Sequence, residues 1–207
     1  MDTTWKENDA WHSVYRAMEK FEPSHDGEFT DIFVLASGGS DSMMLANLIM
    51  PEFDATVLHL NTGIASEITS NFLGNKGKEK GWPYKEVHTP KDYEQMVLDY
   101  GFPGPAHHTK MYNTLKRRSV EKAVRESKNG WWDRVLLLTG IRRSESEKRF
   151  RETERFDRKG AQVWVNPIYH FTGFEKSEYI EKNDIEISPV YEHVGMSLEC
   201  ACGAYAS

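Results

Sequence analysis

One stretch constrains this chain more than any other: Asp31-Ile32-Phe33-Val34-Leu35-Ala36 runs straight into Ser37-Gly38-Gly39-Ser40-Asp41-Ser42. A short continuous apolar run of this kind reads as a strand buried on both faces, as in a parallel sheet. The two glycines that end it permit a tight turn and a close approach to a ligand. Asp41 to Met50 then reads as a helix, which Pro51 stops. In strand–turn–helix order the turn's amides point at an anion, and the helix dipole adds to the attraction. The hydroxyls of Ser37, Ser40 and Ser42 offer further donors, and Asp41 is suited either to hold a metal or to cap the helix. A bare Gly-Gly-x-Asp would read as an ordinary turn; the full six-residue string behind a buried strand reads as a phosphate site.

The alternation continues along the chain. Trp11, Val14, Tyr15, Met18 and Phe21 line one face of a helix over Trp5 to Phe21. Ala55 to Leu60 is a second strand, closed by Asn61-Thr62-Gly63, and Ile64 to Lys80 a helix. Tyr84 to His88 is a third strand and Asp92 to Tyr100 a short helix. An irregular loop over 101–108 leads to one strongly basic helix from Lys110 to Ser127. Arg134 to Gly140 and Gln162 to Asn166 are the fourth and fifth strands. Thr172-Gly173-Phe174-Glu175 has the form of a capping box opening a helix to Asn183. Pro189 to Ser207 shows no clear period.

Strands alternating with helices predict a single α/β domain: a Rossmann-like parallel sheet of about five strands with helices on both faces. Ligands of such sheets sit at the carboxyl ends of the strands, so residues following strands one, two and four are the candidates. The 207 residues fit one domain, with no repeat or low-complexity linker. Within it, residues 1–30 read as an N-terminal helical segment and 31–207 as the nucleotide-binding part. The formal net charge of −6 does not favour binding to nucleic acid. No apolar run approaches the roughly 18–20 residues of a membrane helix, and the first residues lack a secretory pattern, so the expectation is a cytoplasmic protein without a membrane partner.

The string Ser37–Ser42 resembles the pyrophosphate-binding loop of the PP-loop, or N-type ATP pyrophosphatase, superfamily (adenine nucleotide alpha hydrolase-like). No Gly-Lys-Ser/Thr follows, as a Walker loop would require. His59-Leu60-Asn61-Thr62-Gly63-Ile64, with Glu67 and Thr69 behind it, narrows the resemblance to the phosphoadenosine phosphosulfate (PAPS) reductase family. That family commonly carries Asp-Thr-Gly followed by Glu-Thr here; this chain has Asn61 for the aspartate and Glu67-Ile68-Thr69 for the pair. Family members use the segment near the adenosine and the reacting group; by itself it would read as a plain turn with Gly63 at positive φ. Leu138-Thr139-Gly140-Ile141-Arg142-Arg143-Ser144-Glu145-Ser146, with Arg149, is similar to the family's Thr-Gly-Ile/Val-Arg and later Ser-x-x-Arg. Its arginines are bidentate donors suited to phosphate or sulfate. Lys110, Lys116, Arg117 and Arg118 match a basic region that faces phosphates in the family, although a solvated helix face explains any one of them equally well. His107 and His108 before them read as structural. Asn166-Pro167-Ile168 and Phe171-Thr172 are similar to a family segment whose implied role is packing and helix capping.

Only two cysteines occur, in Glu199-Cys200-Ala201-Cys202-Gly203. A disulfide across one intervening residue is strained. The resemblance implies either a mobile catalytic tail or an iron–sulfur cluster, but two cysteines cannot complete a four-thiolate cluster in one chain. The reductase tail Glu-Cys-Gly-Leu-His is absent. The resemblance therefore implies an enzyme acting on PAPS or adenosine phosphosulfate, with thiol-dependent reduction to sulfite and a donor such as thioredoxin. Asp41, Cys200 and Cys202 would be catalytic. Ser37, Gly38, Gly39, Ser40, Asp41, Ser42, Asn61, Thr62, Gly63, Glu67, Lys110, Thr139, Gly140, Arg142, Arg143 and Arg149 would bind nucleotide. The alternatives are an ATP pyrophosphatase using magnesium, as in nucleic-acid thio-modification, and a non-catalytic nucleotide-binding subunit; a homo-oligomer is compatible with each.

Overall fold

The computed structural model describes residues 4–145 and 154–194, without the side chains of His108, Glu192 and Val194. Six strands form one sheet: β1 (Phe29–Leu35), β2 (Thr56–Asn61), β3 (Tyr84–His88), β4 (Arg134–Leu138), β5 (Phe156–Lys159) and β6 (Gln162–Val165). Their order is β3-β2-β1-β4-β6-β5. All neighbours are parallel except β5, which runs antiparallel to β6. The expected strand count is thus corrected from about five to six. Phe156-Asp157-Arg158-Lys159 lacks the apolar alternation of a strand because it forms the sheet edge, where charged side chains are tolerated and block further pairing. A two-residue turn with Gly160 at φ 62° folds it onto β6.

Eight α-helices surround the sheet: α1 (Thr4–Lys20), α2 (Ser40–Ile49), α3 (Glu67–Lys80), α4 (Tyr93–Tyr100), α5 (His108–Tyr112), α6 (Arg118–Ser127), α7 (Gly173–Lys182) and α8 (Pro189–Val194) among the described residues. Successive residues of the central strands are buried on opposite faces, which is why their sequences are continuously apolar. Val34, Leu136, Leu138, Val163 and Val165 pack with Ala10, Val14 and Ala17 of α1, Met44 and Leu45 of α2 and Tyr179 of α7. Phe33, Leu58, Leu60, Val135 and Leu137 pack on the other face against Val120, Ala123 and Val124 of α6.

Two segments differ from the sequence expectation. The single basic helix over 110–127 is interrupted by a π turn at Asn113–Arg117. Such a turn shifts the helix register, and here Met111 and Leu115 pack with Tyr93 and Met96 of α4 while the later residues face the sheet. The tail begins with the short helix α8, Pro189 supplying a preset φ at its first turn. No helix among the described residues is long and apolar enough to cross a membrane.

Candidate functional site

Strand order reverses at β1, which lies between β2 and β4. The loop leaving β1 therefore opens at the crevice where parallel α/β sheets take ligands. Gly38 makes the turn at φ 76°, and a Cβ there would sit 3.1 Å from both Ser188 Cβ and Thr69 Cγ2. Its carbonyl accepts the Ser188 amide at 2.8 Å, and the Ser188 and Thr69 hydroxyls lie 3.1 Å apart. The first turn of α8 is thereby joined to the loop.

The three serine hydroxyls are not equivalent. Ser42 Oγ donates to the Gly39 carbonyl at 2.9 Å and accepts the Ser37 amide at 3.1 Å. Ser37 Oγ lies 3.2 Å from Ser42 Oγ. Ser42 thus ties the turn internally, its proton directed to the Gly39 carbonyl. Ser40 Oγ instead accepts from Lys176 Nζ at 2.9 Å.

Gly39 takes the N-cap position of α2, without a side-chain cap bond. Asp41 lies in the first turn and does not cap the helix. One carboxylate oxygen is bonded to Arg142 Nε, and the other lies 3.6 Å from Lys176 Nζ. The side chains of Arg142 and Lys176 are 7% and 14% exposed and that of Asp41 28%, so Asp41 is the most open of the trio. Two cations against one carboxylate leave a net positive charge at the N-terminus of α2, where the helix dipole has the same sign.

Lys176 reaches this place because the start of α7 is anchored. Thr172 caps the helix in a full capping box with Glu175. Glu175 Oε2 also receives Lys6 of α1 at 2.5 Å. Burial alone would raise the Glu175 pKa, but the Lys6 and Thr172 hydrogen bonds and the Lys6 charge outweigh it and hold it at about 2.

Gly140, after β4, touches the loop directly: a Cβ there would lie 3.0 Å from the Asp41 carbonyl carbon. Thr139 Oγ1 is bonded to Asn166 Oδ1, and Asn166 Nδ2 donates to the Glu154 carbonyl at 2.8 Å. The Arg143 amide donates to the Tyr169 carbonyl at 3.0 Å, and its side chain is half-buried.

After β2, Asn61 Oδ1 accepts the Gly63 amide at 2.8 Å and its Nδ2 donates to Glu86 Oε1 at 2.6 Å. Thr62 is buried, Gly63 has φ 74°, and Glu67 is exposed at the start of α3. Beside Gly63 opens a cleft of about 470 Å³ lined by Ile64, His88, Thr89, Lys91 and Tyr93 among others, within the range of small-molecule sites. Lys110 lies 4.7 Å from the Tyr100 ring, in a separate smaller cleft with Phe102 and His107. Arg117 pairs with Glu121 at 2.9 Å on an exposed helix face. Arg149, Cys200 and Cys202 lie outside the described residues.

The structure thus joins the Ser37–Ser42 loop, Gly140 and Arg142 into one constellation and adds Lys176 and Ser188, which the sequence reading missed. A single lysine in an amphipathic helix and a serine before a proline carry no local signal. Among the described residues, no group of three or more His, Cys, Asp or Glu side chains could hold a metal.

Solved structures share the fold at low identity. The PAPS reductase of Candida auris in a phosphate complex superposes with a TM-score of 0.62 at 10% identity, covering 89% of this chain and 84% of that one. The FMN adenylyltransferase of Candida glabrata with FAD and inorganic pyrophosphate gives 0.59 at 12%, covering 91% and 59%. The U34-tRNA thiolase of Methanococcus maripaludis with its 4Fe–4S cluster gives 0.53 at 16%, covering 89% and 66%. No curated protein matches the sequence. These likenesses show a shared α/β fold. The model of the phosphoadenosine phosphosulfate reductase domain matches residues 31–202, and the chain belongs to that family, whose fold is adenine nucleotide alpha hydrolase-like.

Proposed function

We propose that the chain binds an adenine nucleotide with its phosphate or phosphosulfate group on the Ser37–Ser42 loop, and that it reduces PAPS or adenosine phosphosulfate. The observation that carries this reading is the loop closed against Gly140, with Asp41 held by Arg142 and Lys176. That arrangement offers an anion the α2 N-terminus, the loop amides and a net positive charge. The cleft beside Gly63 has the size for the nucleoside portion. Arg143 and Arg149 would bind further phosphate or sulfate oxygens.

In this reading a thiolate of Cys200 or Cys202 attacks the sulfonate sulfur. The S–O bond to the nucleotide breaks, and the phosphate oxygen leaves with the electron pair, forming a cysteine S-sulfonate. A thiol donor of the thioredoxin kind then attacks the cysteine sulfur, sulfite departs with the bonding pair, and a disulfide remains. The two thiols supply the two electrons.

The tail reads Glu199-Cys200-Ala201-Cys202 instead of the family's reductase ending, which favours ATP pyrophosphatase chemistry as the second reading. There magnesium would polarise the diphosphate. Both Asp41 oxygens already face cations, so such an ion would take most of its ligands from the nucleotide and water, as magnesium commonly does. Any iron–sulfur cluster would need thiolates beyond the two this chain carries.

Calorimetry with PAPS, adenosine phosphosulfate and ATP, followed by assays for sulfite and diphosphate, tests the proposal. Sulfite from either sulfonucleotide supports it. Diphosphate from ATP with no sulfite transfers the assignment to the second reading, and a protein that binds none of the three ends both.

A further inference from the structure

Lys176 lies outside every motif that identifies the loop, yet it makes two contacts with it: a hydrogen bond to Ser40 Oγ at 2.9 Å and a 3.6 Å approach to Asp41 Oδ2. We infer that Lys176 is the positioning residue of the phosphate loop, setting the Ser40 hydroxyl as a donor to the nucleotide's phosphate or sulfate oxygens. The inference rests on the nucleotide-binding reading above and assigns a residue to it.

The argument is one of donors and acceptors. A protonated lysine is donor-only, with three N–H groups and no acceptor. Its bond to Ser40 therefore ends on the hydroxyl oxygen and directs the Ser40 proton elsewhere. A hydroxyl that accepts from a cation is polarised and becomes a stronger donor. Ser40 is the first residue of α2, so its hydroxyl lies at the helix end where an anion is favoured.

Charge works in the same direction. Asp41 would repel an incoming phosphate if its carboxylate were uncompensated. Arg142 holds one oxygen and Lys176 faces the other, so the loop carries net positive charge. Ser42, two residues later, is consumed by Gly39 and Ser37. Ser40 is the loop hydroxyl that Lys176 leaves with a proton to donate.

The test is a double-mutant cycle read by calorimetry with ATP and with adenosine 3′,5′-bisphosphate. Lys176→Met and Ser40→Ala are each expected to weaken binding about tenfold or more, the size of a charge-assisted hydrogen bond. The double variant is expected to bind no more than about threefold worse than the weaker single variant, because both changes remove the same interaction. Lys176→Arg, which keeps the charge, is expected to recover part of the loss. Unchanged affinity in a folded Lys176→Met protein overturns the inference and leaves nucleotide binding intact, as do fully multiplicative losses in the double variant. If Lys176→Met does not fold, Lys176→Arg and Ser40→Ala complete the comparison: native affinity in Ser40→Ala overturns it. A native protein that binds neither nucleotide overturns the nucleotide reading, and this inference with it.

Discussion

Gly140 packs against the backbone of Asp41: a Cβ at position 140 would lie 3.0 Å from the Asp41 carbonyl carbon and 3.1 Å from its oxygen. The end of β4 is thereby pressed onto the first turn of α2. The glycine after Thr139 is required by this contact between two loops, whether or not it also meets a nucleotide. Gly140→Ala should displace the loop by a few tenths of an ångström and Gly140→Val by more. Nucleotide affinity is expected to fall progressively from alanine to valine, with thermal melting lowered by the same order. Native affinity in a folded Gly140→Val protein would contradict this.

Gly38 is the loop glycine with a left-handed backbone, at φ 76°. Gly39 adopts φ −80° and ψ 163°, which other residues reach readily. Gly38→Ala is expected to cost roughly 1–2 kcal/mol from backbone strain, together with a clash against Thr69 and Ser188. Gly39→Ala should be milder. Chemical denaturation of the two variants side by side checks the order.

The Lys6–Glu175 pair joins α1 to α7, and both side chains are nearly enclosed. Removing one partner from such a pair leaves an uncompensated charge, so Lys6→Met should destabilise by about 3 kcal/mol. The Glu175 pKa falls from 4.5 to about 2 on folding. A lowered folded-state value means that this stabilisation is complete above the unfolded value and is lost as pH falls towards 2. Melting temperature should therefore drop between about pH 5 and pH 2, and less steeply in Glu175→Gln. Asp133, held low by the amides of Gly130, Asn129 and Glu28 against the opposing effect of burial, acts in the same direction and should leave a residual slope. Identical pH profiles for native protein and Glu175→Gln would refute the assignment.

The Ser188 amide is bonded to Gly38, and α8 ends at Val194, six residues before Cys200. Cys200 and Cys202 themselves lie outside the described residues. If the reductase reading holds, Cys200→Ser or Cys202→Ser should abolish sulfite release while nucleotide affinity changes little. Full-rate production of AMP and diphosphate from ATP in both variants would instead mark the thiols as accessory.

The parallel α/β architecture was legible in the order of residues because burial on both faces turns the central strands into continuous apolar runs. The loop at Ser37–Ser42 was legible for a related reason: a glycine turn between a strand and a helix is a local pattern, and so is the capping box at Thr172. β5 was missed because an edge strand needs no apolar alternation. The partners of Asp41 could not be read in the same way. Lys176 lies 136 positions from Ser40, and no periodicity relates them. Ser188 meets Gly38 only because the fold brings the start of α8 to the loop. Local chemistry thus determined the strands, the glycine turn and the helix that follows it. The tertiary fold decided which cations neutralise Asp41 and what joins the start of α8 to the loop, because those depend on distances between segments far apart in the chain.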